Sequence, residues 1–194
     1  MIKIAVLISG NGSNLQALID AQNENRLKGS VVLTISNKAE AYGLERAKKH
    51  GIATHLINAN DSDGLLELLA RYQIELIVLA GYLAILKPPV IKAFQDRILN
   101  IHPSLLPKYS GKGFYGLKVH KAVIDHQEKY SGCSVHLVNE GIDTGPILAQ
   151  IKVTVDEDET AESLQQKVLV QEHKLLVEVV NSYINDYFKK GEGR

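Results

Sequence analysis

Ile2-Lys3-Ile4-Ala5-Val6-Leu7-Ile8-Ser9-Gly10-Asn11-Gly12-Ser13-Asn14-Leu15 opens the chain. Residues 2–8 form a nearly continuous apolar run, as expected of a strand whose sheet is covered on both faces. Gly10 and Gly12 interrupt it, and Leu15, Leu18 and Ile19 then recur at helical spacing. A buried strand passing through a glycine turn into a helix is the first half of a strand–helix–strand crossover. The pattern repeats outward from there. Strands are predicted over 31–35, 53–57, 76–79 and 98–101, with helices over 39–50 and 65–72 between the first of them. Such alternation with short connections predicts a doubly wound, mostly parallel α/β sheet.

After Pro103 the character changes. Pro103, Pro107, Gly111, Gly113 and Gly116 make 103–118 a long irregular loop. A helix is expected over 117–125, then two strands, 133–138 and 147–155, around the turn-rich 141–146. Thr160 caps a long final helix expected to reach about Phe188, and the tail 191–194 reads as frayed. The fold expected is one Rossmann-like domain over 1–194. Residues 1–102 form its anion-binding half, and 103–194 complete the site with an antiparallel extension and the long helix.

Composition narrows the function classes. Lysine plus arginine and aspartate plus glutamate number 22 each among 194 residues, and no basic run stands out. This argues against a nucleic-acid or membrane-surface partner. No apolar run approaches the roughly 20 residues of a membrane helix. The single cysteine, Cys133, points to a reducing compartment, so a cytoplasmic enzyme is the expectation. Cys133 reads as a small strand residue, not a nucleophile. His120, His126 and His136 lack zinc spacing, and no metal is expected.

The turn 9–14 offers glycines for close backbone approach, free N–H groups at a helix start, and the side chains of Ser13 and Asn14. Gly12, Ser13 and Asn14 are therefore candidates for a phosphate. The alternative is a tight turn in which Ser13 or Asn14 merely caps the helix. A dinucleotide fits poorly, because Leu15 replaces the third glycine of G-x-G-x-x-G and Ser36-Asn37-Lys38 lacks the ribose-binding carboxylate. A monophosphate fits better.

In Ile98-Leu99-Asn100-Ile101-His102-Pro103, Asn100 and His102 share one strand face at the carboxyl end, where α/β sheets bind ligands. An amide donor beside an imidazole suits acyl transfer. Asp143, in the 141–146 turn, would raise the pKa of His102 if the two met, although their spacing in sequence does not place them together. In the last helix Leu164, Val168, Leu175, Leu176 and Val179 mark a buried face, and Glu172 lies in its middle. A carboxylate there needs a cation or donors.

The strings Ile-Ser-Gly-Asn-Gly-Ser-Asn-Leu (8–15), Leu-Asn-Ile-His-Pro-Ser-Leu-Leu-Pro (99–107), Val-His-Leu-Val (135–138) and Asp-Thr-Gly-Pro-Ile (143–147) occur in that order. Together they resemble the glycinamide ribonucleotide formyltransferase family, within the folate-dependent formyltransferases. The resemblance implies 10-formyltetrahydrofolate as co-substrate and a glycinamide amine as acceptor. It implies Asn100, His102 and Asp143 as catalytic residues, with His102 a charged imidazolium. It places the ribonucleotide phosphate on Gly12, Ser13 and Asn14, and the substrate amine near Glu172. Leu83, Ala84, Ile85, Leu86, Asn100, Val138, Asn139, Glu140, Gly141 and Ile142 would hold the folate.

The chain departs from the family at Ala84, where many members have arginine, and at Leu169, where they have glutamine. Its segment 58–64 also offers no basic residue, so Lys112 or Lys118 is the expected substitute. The partners expected are small molecules, with the chain a monomer or homodimer and 108–116 a candidate lid. Rival readings are a deformylase or a different amine acceptor, methionyl-tRNA formyltransferase with its usual added C-terminal domain, and a non-catalytic module binding a phosphorylated metabolite.

Overall fold

A computed structural model describes residues 1–188; the expected frayed tail lies outside them. Seven strands form one sheet: β1 (Ile2–Ile8), β2 (Gly29–Ser36), β3 (Ala53–Leu56), β4 (Leu76–Leu79), β5 (Ile98–His102), β6 (Tyr130–Leu137) and β7 (Ile147–Thr154). Their spatial order is β3-β2-β1-β4-β5-β6-β7, parallel through β5 and antiparallel from β5 to β7. The chain fills one side of β1 first and then the other. The switch point therefore falls between β1 and β4, and their carboxyl ends open into one crevice.

The helices are α1 (Ser13–Asn23), α2 (Tyr42–Lys49), α3 (Ser62–Arg71), α4 (Pro88–Ala93), α5 (Leu117–Asp125) and α6 (Ala161–Tyr183). Alternation along β1 divides the core. Ile4, Val6 and Ile8 pack with Leu15 and Leu18 of α1, Leu44 of α2, Val123 of α5 and the buried face of α6. Ala5 and Leu7 pack on the other side with α3 and α4. Complete burial of each such Val, Leu or Ile contributes about 1.5–3 kcal/mol relative to exposure.

Two boundaries are physically instructive. α4 has no counterpart in the expected pattern, because its six residues are too few to show a helical period. Its local signal is Pro88-Pro89 at the first helical positions, where a missing N–H costs nothing. The final helix begins at a reciprocal capping box between Thr160 and Ser163 and ends at Tyr183, with a π-helical turn over Ile184–Phe188. Among the described residues no helix is long and apolar enough to cross a membrane.

Candidate active site

The glycine turn is shaped by backbone contact. Gly12 adopts φ 74°, and a Cβ there would lie 2.7 Å from the Gly43 Cα in the first turn of α2. Gly43 N donates to Gly10 O at 3.1 Å, closing the two segments together. Neither Ser13 nor Asn14 caps α1; its cap position, Gly12, makes no side-chain hydrogen bond. Ser13 and Asn14 line the cavity instead. Arg46 of α2 clamps the turn, its Nε donating to Asn11 O at 2.9 Å and its Nη2 to Asn11 Oδ1 at 2.7 Å. Neither the spacing nor the glycine pattern had marked Arg46 or Gly43.

Ser9 ties the switch point together. Its N–H donates to Gly81 O at 3.0 Å, its Oγ donates to Asn37 Oδ1 at 2.6 Å, and the same Oγ accepts from Leu83 N at 2.8 Å. The ends of β1, β2 and β4 are thereby joined through one residue. Beyond β4, Leu83, Ala84, Ile85 and Leu86 form one wall of a cavity of ≈ 760 Å³. Leu83 and Ile85 are 49% and 57% exposed, so they are not part of the core. Val138, Asn139, Glu140, Gly141, Ile142 and Asp143 line the same cavity.

His102 and Asp143, 41 positions apart, meet there. His102 Nδ1 lies 3.7 Å from Asp143 Oδ2, and Gly111 N donates to that same oxygen at 3.0 Å. His102 Nε2 lies 2.8 Å from the Tyr109 carbonyl. A carbonyl only accepts, so Nε2 carries the hydrogen and Nδ1 is the nitrogen left to titrate.

Asn100 and His136 are opposed across the antiparallel β5–β6 pair. His136 Nδ1 sits 2.8 Å from the Leu137 carbonyl and donates to it, so Nε2 accepts from Asn100 Nδ2 at 3.0 Å. His136 Nε2 is also 3.6 Å from Asp143 Oδ1. His136 is therefore part of the centre, although its strand context alone gave it a bland reading. Its signal was a buried histidine facing the Asn100 strand, visible only once the strand register is known.

Burial pulls the His102 pKa down and outweighs the opposing pull of the Asp143 charge and the Tyr109 carbonyl, leaving it below the ordinary 6.5. Asp143 does pull the His102 pKa up, as expected of a neighbouring carboxylate, but the expectation that it holds His102 charged is corrected because desolvation is the larger effect. Burial also pushes Asp143 up. His136 beside it, the Gly111 N–H and the His102 imidazole more than offset it, so this carboxyl sits below its ordinary value. A neutral imidazole next to an ionised carboxylate results. The expected donor role of Asn100 also changes: its amide hydrogens face His136 and, at a marginal 3.5 Å, Asp143 Oδ1.

Glu172, 7% exposed, receives a hydrogen bond from Asn14 Nδ2 at 2.7 Å. Its partner is thus neither a lysine nor a backbone N–H but the amide at the start of α1. Burial raises the Glu172 pKa, with Asn14 opposing. Asn14 Oδ1 is sealed from solvent with no hydrogen-bond partner, an acceptor beside the glycine turn.

Leu169 lines the cavity, and one turn before it on α6 Gln165 and Gln166 line it too, supplying amides the sequence reading had not noticed. Lys112 reaches the cavity wall, whereas Lys118 turns to the Tyr115 hydroxyl at 3.0 Å. His120, 1% exposed, also lines the cavity, its Nδ1 without a partner; burial and then His102 pull its pKa down to about 4. Burial, with Glu172 next, pushes the thiol of fully buried Cys133 up to about 12. Among the described residues no group of three or more His, Cys, Asp or Glu is placed to hold a metal ion.

The family model for formyl transferases matches residues 2–180. The chain belongs to the formyl transferase family, as a member of its phosphoribosylglycinamide formyltransferase branch. It is 40% identical to phosphoribosylglycinamide formyltransferase of Escherichia coli (strain K12), over 98% of this chain and 91% of that one. It is 43% identical to the chloroplastic phosphoribosylglycinamide formyltransferase of Arabidopsis thaliana, over 96% of this chain and 67% of the relative's length. The solved structure of glycinamide ribonucleotide transformylase 1 from Symbiobacterium toebii superposes with a TM-score of 0.88 at 40% identity. That superposition covers 93% of this chain and 86% of the other. The formyl transferase fold thus accounts for the parallel sheet, its antiparallel extension and the long last helix.

Proposed function

We propose that the chain transfers a formyl group from 10-formyltetrahydrofolate to the amine of glycinamide ribonucleotide, giving formylglycinamide ribonucleotide and tetrahydrofolate in purine biosynthesis. The observation that carries this reading is one cavity lined by Ser13 and Asn14 together with Asn100, His102 and Asp143.

The residues divide the work as follows. The first turn of α1, shaped by Gly12 and flanked by Ser13, holds the phosphate by its N–H groups. The apolar wall Leu83–Leu86, with Val138 and Ile142, matches a flat pterin. Exposed backbone of 138–142 serves its polar edge, and Asn139 and Glu140 line the same segment. Glu172, with Asn14, meets the glycinamide end.

His102 is neutral before reaction and takes the amine's proton at Nδ1; Asp143, 3.7 Å away, then stabilises the imidazolium. The marginal N–H of Asn100 is the one a substrate oxygen can capture as it gains charge. His102 as imidazolium adds a second donor there and gives its proton to N10 of the folate as the formyl carbon–N10 bond breaks, releasing tetrahydrofolate. The imidazolium of the resemblance thus arises during the reaction and not before it. We place this chemistry in the cytoplasm, on small molecules, with the chain a monomer or homodimer.

Incubation with 10-formyltetrahydrofolate and glycinamide ribonucleotide, followed spectroscopically, tests the reading. Tetrahydrofolate should appear only when the ribonucleotide is present. Formate release without the ribonucleotide would make the chain a deformylase. Ribonucleotide binding without turnover would make it a sensor.

A further inference from the structure

The backbone of one short loop touches both halves of the reaction centre. The Tyr109 carbonyl receives His102 Nε2–H at 2.8 Å, and two residues later Gly111 N donates to Asp143 Oδ2 at 3.0 Å. Tyr109 has φ 52°, a left-handed backbone that a side chain other than glycine adopts only when its surroundings hold it there. Its side chain is not among the cavity-lining groups. Its hydroxyl donates to Glu128 Oε1 at 3.0 Å, and the ring packs edge-on to Phe114 at 6.0 Å and against His126 at 5.7 Å. Lys108, one residue before, donates to the same Glu128 oxygen at 2.7 Å. Glu128 thus grips two consecutive residues of the loop from the connection between α5 and β6, outside the cavity.

We propose that Glu128 is a positioning residue for the formyl transfer. By holding the Tyr109 hydroxyl it sets the Tyr109 carbonyl under His102, which fixes the imidazole as the Nε2–H tautomer and leaves Nδ1 turned to Asp143. The carbonyl decides the tautomer, because it cannot donate and lies at 2.8 Å, whereas the Asp143 carboxylate at 3.7 Å is beyond hydrogen-bond reach of Nδ1. Once the loop shifts, Nε2 loses its acceptor and the proton distributes between the two nitrogens. A fraction of the molecules then has no base at Nδ1. The Gly111 N–H moves with the same backbone, so Asp143 loses its alignment too. Surface ion pairs contribute little by themselves, so the Lys108 contact is secondary and the hydroxyl–carboxylate bond is the grip that matters.

This inference rests on the reaction assigned above, and the experiment separates the two. The tautomer of His102 is read from its ring 15N shifts in the intact protein, identified by comparison with His102→Asn. Alongside it, kcat and KM are measured for Tyr109→Phe, Glu128→Ala and Glu128→Gln. Tyr109→Phe keeps the ring contacts and removes the hydroxyl; Glu128→Ala removes the acceptor; Glu128→Gln keeps an oxygen that accepts.

The expected result is a mixed tautomer and a kcat reduced about tenfold in the first two, with KM for both substrates within about twofold of the parent. Glu128→Gln should recover the Nε2–H tautomer and most of the rate. Loss of thermal stability with an unchanged tautomer in Tyr109→Phe and Glu128→Ala would overturn the proposal. So would full kcat in both. A tautomer that shifts in Tyr109→Phe and Glu128→Ala while the parent protein forms no tetrahydrofolate would uphold the grip and remove only the reaction.

Discussion

The glycine turn and the reaction centre share one cavity but are fixed by opposite means. At the turn the determinant is backbone shape: Gly12 at φ 74°, Gly43 in contact with it, and Arg46 bonded to Asn11. At the centre the determinants are polar side chains that orient one another: Asn100, His102, His136 and Asp143. The first responds to a methyl group at Gly12, whereas the second responds to a proton at His102. Substitutions in the turn should therefore appear in KM for the ribonucleotide, and substitutions in the centre in kcat.

The largest effect expected is at the centre. His102→Ala should lower kcat about 10³-fold while the ribonucleotide still binds, measured by steady-state rates and calorimetry. Next is Asp143→Asn, with a fall of about 10²-fold and a displaced pH profile. Neutral His102 is the active form, so kcat/KM falls as pH drops through its pKa. That acid limb should lie below 6.5 in the wild type, because burial holds the pKa under this value. Removing Asp143 removes an upward pull, so the limb should move further down. A limb that stays in place would separate Asp143 from the titration.

Gly12→Ala tests the opposite side of the comparison. It meets the Gly43 Cα at 2.7 Å and adds a left-handed penalty of about 1–2 kcal/mol. The ribonucleotide KM should rise about tenfold, with a lower urea midpoint and an unshifted pH profile. Smallest is Arg46→Met, expected to raise the same KM about threefold with kcat unchanged. A change in kcat there would mean that turn and centre are less separable than their construction suggests.

The same contrast explains what the sequence made legible. The strand–turn–helix at 2–15 declares itself, because apolar runs and glycines act locally. The facing of Asn100 and His102 follows from the strand period of two, and the cap at Thr160 from its place just before the helical run. Asp143 could be joined to His102 only through the family resemblance, because the loop that carries it follows β6, whose place beside β5 is set by pairing between distant segments. His136, Arg46 and the Asn14–Glu172 bond were hidden for the same reason. The last spans 158 positions. The protonation of His102 was misjudged because a neighbouring charge can be guessed from sequence, whereas the burial that outweighs it depends on packing from every side.

Ser9 joins the glycine turn to the segment beyond β4. Its N–H and hydroxyl hold the beginning of the glycine turn to Gly81 and Leu83 at the folate wall. Where ligand binding displaces one segment, these bonds pass the displacement to the other. The two binding steps are then linked, and linkage is symmetrical: whatever factor the folate adds to the affinity for the nucleotide, the nucleotide returns to the folate.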